Sequence, residues 1–358
     1  EELSALSNKY SDARRTAIEN VSGEVDIEDL IPEEKCMYTY TNMGYIKRQP
    51  VDQFSIQNRG GRGVKGMTRR EDDYAETMFI ASSHDYIMFY TTRGRAYRLK
   101  GYEIPEGSKT SKGTNIVNIL PLENGEKVSA MIQVPKDDEG MYLCMVTRKG
   151  LIKRSSLDIF RNTRRNGIIA VTLREDDELA WVKLTSGNDD LLVATKLGMC
   201  IRFNENNARP LGRTASGVKA ITLREGDEVV GMAIMPENGK LLTVSETGFG
   251  RISENNNYRL QSRGGKGLKN YHIDKYGQVA AISAIEEDED IILISQDGII
   301  IRIPANAVRV CARPSKGVKV MRLGEGDKVV TLSTTEHDEE EINGEVEDDG
   351  TATEGAGD

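Results

Sequence analysis

The stretch Leu191-Leu192-Val193-Ala194-Thr195-Lys196-Leu197-Gly198-Met199-Cys200-Ile201-Arg202-Phe203 decides how the rest of the chain is read. Two apolar, partly β-branched runs flank a short turn that ends in glycine. Glycine accepts the positive φ that closes a three-residue hairpin loop with a bulge, so the stretch reads as a β-hairpin. The pattern returns from Leu241 to Ser253 and from Ile291 to Ile303. Working outward, the turn glycine recurs at Gly44, Gly94, Gly150, Gly198, Gly248 and Gly298, with spacings of 50, 56, 48, 50 and 50. A second glycine recurs at Gly63, Gly113, Gly167, Gly217, Gly267 and Gly317, 19 residues after the first except in the third unit, where it is 17. Six copies of a ~50-residue unit therefore fill residues 35–335.

Each unit continues with a polar, glycine-bearing loop and a short apolar strand such as Val218 to Leu223. A turn such as Arg224-Glu225-Gly226-Asp227 then leads into a run such as Glu228 to Met235. Four short strands per unit and no long amphipathic helix predict an all-β, propeller-like ring of six sheets. WD-type blades are shorter and repeat a Trp-Asp, whereas Trp181 is the sole tryptophan here; kelch blades want a Gly-Gly pair and a placed tryptophan. A protein-interaction propeller is the reading that the repeats alone leave open.

Hydrophobic residues make up 38% of the 358, low for one large core but workable for a sheet-rich array. No apolar run approaches the ~18 residues of a membrane-spanning helix, and no secretory leader pattern is visible. A start at Glu1 and not Met suggests a piece of a longer protein. Cys36, Cys144, Cys200 and Cys311 are widely spaced, and His84, His272 and His337 lack ligand spacing. This usage points to reduced thiols in a cytoplasmic setting, with neither a disulfide framework nor a zinc site.

The net charge of −9 conceals a division. Residues 336–358 hold 11 acids and no base, and residues 1–34 hold 10 acids and three bases. Residues 35–335 carry 45 bases and 36 acids, a net +9. A basic body between acidic ends suits a polyanion partner. Residues 1–34 read as a helix end followed by an acidic linker. Residues 336–358 read as a disordered tail drawn to the body, where it would compete for the same surface.

The densest basic stretch is Gln57-Asn58-Arg59-Gly60-Gly61-Arg62-Gly63, continued by Val64-Lys65-Gly66-Met67-Thr68-Arg69-Arg70. Close glycines let backbone N–H groups approach a phosphate, and arginines grip it bidentately. The loop ending at the second glycine is basic in the other units too. Lys109 and Lys112 lie in unit two, Arg161, Arg164 and Arg165 in unit three, and Arg209, Arg213 and Lys219 in unit four. Unit five has Arg259, Arg263, Lys266 and Lys269, and unit six has Arg309, Arg313, Lys316 and Lys319. A further base follows the first glycine by four residues at Arg48, Arg98, Arg154, Arg202 and Arg302, and by three at Arg251. Equivalent positions in a ring share one rim, so both rows are expected to form a continuous cationic belt that bends a duplex around itself.

Gly61-Arg62-Gly63-Val64-Lys65-Gly66 matches G-x-G-x-x-G, but the dinucleotide fingerprint needs a strand before it and a helix after it. Met67 follows Gly66 where a P-loop needs Lys. No Ser-His-Asp set, H-E-x-x-H or paired catalytic carboxylates stand out, so no catalytic residues are assigned.

The 57–63 loop resembles the Q-R-R-G-G-K-G box of the C-terminal domain of DNA gyrase A. The likeness extends over nearly the whole chain. Lys9-Tyr10-Ser11-Asp12-Ala13-Arg14-Arg15-Thr16 resembles that family's K-Y-G-D-E-R-R-T, Asp26-Ile27-Glu28-Asp29-Leu30-Ile31-Pro32-Glu33 its linker, and Gly44-Tyr45-Ile46-Lys47-Arg48 its first hairpin. Asn58 stands where the box has Arg, and Gln261-Ser262-Arg263-Gly264-Gly265-Lys266-Gly267 is a second box-like copy. The resemblance implies a six-bladed β-pinwheel that wraps duplex DNA around a basic rim and so directs strand passage toward negative supercoils. It further implies a non-catalytic module, monomeric by itself. In the bacterial cytoplasm it would join the rest of gyrase A, together with gyrase B, in an A2B2 assembly, with magnesium and ATP bound elsewhere. The corresponding domain of topoisomerase IV, which recognises DNA crossings and lacks a regular box, is the neighbouring alternative.

Overall fold

The computed structural model describes residues 27–41, 43–51, 64–65, 75–108, 111–134, 139–164, 166–286 and 288–336. The chain divides into a short N-terminal unit, Glu1–Pro32, and a large one, Glu33–Asp358. In the former, the described part is a 3-10 turn at Ile27–Leu30. The latter is a ring of β-sheets.

Its strands follow the 50-residue period. They are β1 (Lys35–Thr41), β2 (Tyr45–Pro50), β3 (Val64–Lys65) and β4 (Ala75–Ser82) in unit one, then β5 (Tyr86–Thr91), β6 (Arg95–Lys100), β7 (Thr114–Asn115) and β8 (Val128–Val134) in unit two. Unit three has β9 (Tyr142–Thr147), β10 (Leu151–Ser156), β11 (Ile168–Ile169) and β12 (Leu179–Thr185); unit four has β13 (Asp190–Thr195), β14 (Met199–Asn204), β15 (Val218–Lys219) and β16 (Val229–Ile234). Units five and six supply β17 (Lys240–Ser245), β18 (Phe249–Glu254), β19 (Leu268–Lys269), β20 (Val279–Ile285), β21 (Glu289–Ser295), β22 (Ile299–Pro304), β23 (Val318–Lys319) and β24 (Val329–Glu336). The last strand runs to Glu336, one residue past the boundary read from sequence.

The first, second and fourth strands of a unit share one antiparallel sheet, but the third leaves for the preceding blade. Thus β7 pairs with β2, β11 with β6, β15 with β10, β19 with β14 and β23 with β18. The circle closes where β3 of unit one pairs with β22 of unit six, Val64 opposite Ile300 and Lys65 opposite Ile299. Each four-stranded blade is therefore three strands of one unit plus an outer strand from another. The fourth strands β4, β8, β12, β16, β20 and β24 pack one on the next around the hub, with β24 against β4.

The local reasons repeat as well. All six turn glycines sit at positive φ, for example Gly198 at 77° and Gly248 at 79°. Three residues before each stands Ser or Thr. Its hydroxyl accepts from the N–H just after the glycine, as Thr195 does from Met199 at 3.2 Å and Ser245 from Phe249 at 3.2 Å. At the same residue the pairing with the hub strand slips into a bulge, which adds twist. Hydrophobic cores lie between neighbouring blades, one cluster per interface. The cluster between blades six and one, Met37, Met78, Ile292, Ile294 and Ile300, seals the ring. Among the described residues no helix is long and apolar enough to cross a membrane.

Candidate nucleic-acid interface

The outer edge of each blade is built by the following unit. On blade four, the start of β14 pairs with β19, and Arg202 farther along bridges to Leu260. The loop between residues 260 and 268 thus lies along the blade's outer edge. Arg259, Lys266 and Lys269 are exposed there. Blade five repeats this with Arg309, Lys316 and Lys319, and blade three with Arg209, Arg213 and Lys219. On blade two the exposed bases are Arg161 and Arg164, and on blade one Lys112. Lys112 stands over the Tyr45 ring at 4.4 Å and Lys316 over Phe249 at 3.8 Å, aromatic seats that hold the ammonium groups at the edge. Gln57, Asn58, Arg59, Gly60, Gly61, Arg62, Gly63, Arg69, Arg70 and Arg165 lie outside the described residues; Lys65 is described through its backbone pairing in β3.

Arg263 and Arg313 have a different task. Arg263 donates through Nε to the Asn207 carbonyl at 2.9 Å and through Nη1 to the Lys219 carbonyl at 3.0 Å. Arg313 makes the equivalent pair with Asn257 at 2.6 Å and Lys269 at 2.6 Å. Each guanidinium clasps the loop of its own unit to the previous unit's outer strand. Within the second box-like copy, Arg263 is therefore a blade-to-blade clasp, while Lys266 stays exposed on the rim.

The row of bases on the second hairpin strand departs from the expected belt. Arg154, Arg251 and Arg302 are 4%, 0% and 5% exposed, and Arg48, Arg98 and Arg202 are half-buried. Arg154 lies 3.2 Å from the Glu205 carboxylate and donates to Asn206 Oδ1 at 2.8 Å. Arg202 pairs with Asp190 at 2.6 Å and reaches the carbonyls of Asn255 and Tyr258. Arg302 pairs with the fully buried Asp290 at 2.8 Å. Arg48 donates to the Ile104 carbonyl at 2.9 Å, and Arg98 to that of Arg161 at 2.7 Å. Arg251 is held by Asn270, through its carbonyl and its amide oxygen, each at 2.7 Å. A guanidinium buried without partners would be strongly unfavourable, and this network supplies them. Most of these arginines fasten one blade to the 3-10 turn of the next unit, so this row is internal and not part of the exposed rim.

Two lysines that sequence reading passed over do similar work. Lys47 Nζ donates to the carbonyls of Ser108 and Ser111 at 3.1 and 2.9 Å, and Lys153 Nζ to those of Ala170 and Arg213. Both hold a rim loop from beneath. Burial lowers each ammonium to about 8, Lys153 with a further push from Arg213. An unfolded lysine titrates near ~10.4, so between about pH 8 and 10 the folded chain binds fewer protons and gains stability as pH rises. Urea unfolding is expected to show the parent gaining about 1–3 kcal/mol over Lys153→Met between pH 7 and pH 9.5. A constant difference would mean that Lys153 keeps an ordinary pKa.

A closed ring of strand-exchanging, four-stranded blades with a cationic outer edge is a β-propeller of the kind carried by type IIA topoisomerases. A family model described as DNA gyrase C-terminal domain, beta-propeller, matches residues 41–82, 85–135, 142–186, 189–234, 239–286 and 289–336, one segment per unit. The chain belongs to that family. A solved DNA gyrase A C-terminal domain superposes with a TM-score of 0.77 at 26% identity, covering 84% of this chain and 99% of that one. The C-terminal domain of a DNA topoisomerase IV shares the fold at a TM-score of 0.65 and 22% identity, covering 86% of this chain and 94% of that one. The DNA gyrase A protein of Clostridium acetobutylicum is 48% identical over 215 residues, 60% of this chain and 26% of that protein. Its Staphylococcus aureus (strain NCTC 8325) counterpart is 47% identical over 219 residues, 60% of this chain and 25% of that protein. The chain spans about a quarter of the length of these relatives.

Proposed function

We propose that this chain binds duplex DNA along its outer rim and wraps it, giving a gyrase the handedness with which it introduces negative supercoils. The observation that carries the reading is the recurrence of exposed cations on the outer-edge loops of successive blades. Phosphates occur every few ångströms along a duplex, and a curved row of cations engages them in series only if the duplex bends. Lysine and arginine belts position the backbone without reading bases, so the binding has little sequence preference. The chemistry of cleavage and of ATP and magnesium belongs to other parts of an A2B2 gyrase in the bacterial cytoplasm, and this module supplies DNA geometry.

The test is to relax a closed plasmid with a nicking-closing topoisomerase in the presence of the chain. Trapped supercoils of one sign are expected. With eight to ten phosphates neutralised, log K should fall against log salt with a slope of about −7 to −9. A flat salt response, or selection of one short sequence, would favour a protein-interaction propeller instead.

A further inference from the structure

The two end faces of the ring differ in charge. In each blade the first strand starts where the second and fourth stop, as Lys240 shows by facing Glu254 on one side and Ile285 on the other. The 3-10 turns, such as Asn255–Asn257, and the loops that join one blade to the next therefore lie at this end. The glycine hairpins and the turns that lead into the fourth strands lie at the opposite end. Among the described residues the hairpin end exposes eight acids and eight bases, many side by side, as in Arg174-Glu175, Arg224-Glu225 and Asp274-Lys275. The 3-10 end exposes nine acids against one base, Lys35, among the described residues. Its acids recur around the circuit, with Glu139 between blades two and three, Asp158 in the turn of unit three, Glu237 between blades four and five, and Glu286 and Asp288 between blades five and six.

We infer that this acidic end face fences the duplex, excluding a straight path across the end of the ring so that DNA follows the bent path along the rim. The inference rests on the DNA-wrapping reading and specifies what keeps that site from binding its ligand unbent. A duplex is stiff, and lying straight across an end costs no bending, so cations on an end would let that mode compete with wrapping. Here the balanced hairpin end offers no net attraction, and the 3-10 end repels. The reach of the repulsion fits the task. Strands of six residues such as β14 and β18 make a blade about 20 Å tall, and screening at physiological salt cuts a field over ~8 Å. The acids therefore act on a duplex that crosses their face or slides toward it, and leave the far half of the rim attractive. Arg209, Arg259 and Arg309, exposed just past the 3-10 turns, mark the border where the cationic track begins.

The experiment compares the full chain with Glu139→Lys/Glu237→Lys/Glu286→Lys/Asp288→Lys, all at exposed loop positions. A random-sequence duplex of about 150 bp, one persistence length, reports affinity and, by end-to-end energy transfer, bending. Plasmid relaxation by a nicking-closing topoisomerase reports the supercoils trapped per bound chain. The lysine variant should bind about three- to tenfold tighter at low salt, where screening is weak. It should nevertheless trap about half as many supercoils per bound chain and bend the duplex less, as bound DNA escapes to the straight path. Glu139→Gln/Glu237→Gln/Glu286→Gln/Asp288→Asn should move both readings the same way by less. Affinity and trapping that rise together, or that both stay unchanged, overturn the fence while the wrapping reading stands. A parent that retains no DNA overturns both. Unchanged trapping by the variant chain, beside an assembled gyrase that loses supercoiling, assigns the face to a protein contact and overturns the fence.

Discussion

Replacing Arg59 and Arg62 together with alanine is expected to abolish trapped supercoils while leaving most DNA retention in place. Both residues lie outside the described part of the chain, and their place in the sequence singles them out. Bending 20–30 bp by 40–90° costs on the order of 1–6 kcal/mol, so a duplex stays wrapped only if it is gripped at both ends of its path. If the chain wraps DNA as proposed, the exposed cations on blades one to five would supply the bulk of the affinity, and losing two arginines would remove little of it. Their loss removes the grip beside β3, where the ring joins its own beginning. In an assembled gyrase, negative supercoiling should fail while relaxation and decatenation persist. The control must avoid Arg263, whose loss breaks two bonds between blades, so Lys266→Ala with Lys316→Ala is the matched pair. A control that destroys wrapping as fully as the Arg59/Arg62 pair would reject the assignment to the 57–63 loop.

The second large effect concerns the blade interior. Glu205 is fully buried, and its two oxygens accept from Gly187 N–H at 2.9 Å, Asp189 N–H at 2.8 Å and the Thr185 hydroxyl at 2.8 Å, with Arg154 at 3.2 Å. Glu205→Ala should destabilise the ring by about 3–5 kcal/mol, because it strands a buried guanidinium along with two backbone donors. Adding Arg154→Met should recover part of that loss, since it removes the stranded charge and leaves only the N–H groups unpaired. Urea unfolding of the two single variants and the double closes the cycle. Arg154→Met should also leave the salt slope of DNA binding unchanged, whereas a phosphate contact would lower it by about one. A drop of that size would return Arg154 to the rim.

Much of this architecture is legible in the repeat of glycines. Gly198 and its equivalents mark hairpins because a positive φ is needed there, and periodic apolar runs on either side announce the strands. A companion signal, Ser or Thr three residues ahead of each glycine, is equally regular and was available in Thr195-Lys196-Leu197-Gly198. The exchange of outer strands was not legible. Val218–Lys219 and Leu268–Lys269 are two residues long, too short for any period to show which neighbour they join. The two rows of bases looked alike because charge does not reveal side-chain direction. The distinction lay in their neighbours. Arg154 follows Leu151-Ile152 within a strand, where a cation must find partners, while Arg209 and Arg259 stand in loops just after the asparagine turns Asn206-Asn207 and Asn255-Asn256-Asn257. Buried acids such as Asp290 and Glu205 were the counterparts to seek.

The borrowed outer strands also impose a calendar on synthesis. A blade is finished only when the next unit has left the ribosome, so each newly made sheet waits with one edge open for the residues behind it. Blade six waits for nothing new. Its missing strand, Val64–Lys65, was made some 235 residues before its partners at Ile299 and Ile300. At roughly 5–20 residues per second, that segment stays unclaimed for about 10–50 s, far longer than a hairpin takes to form. The nascent chain therefore grows as an open spiral, and the earliest rim segment to be translated is the last to find its seat.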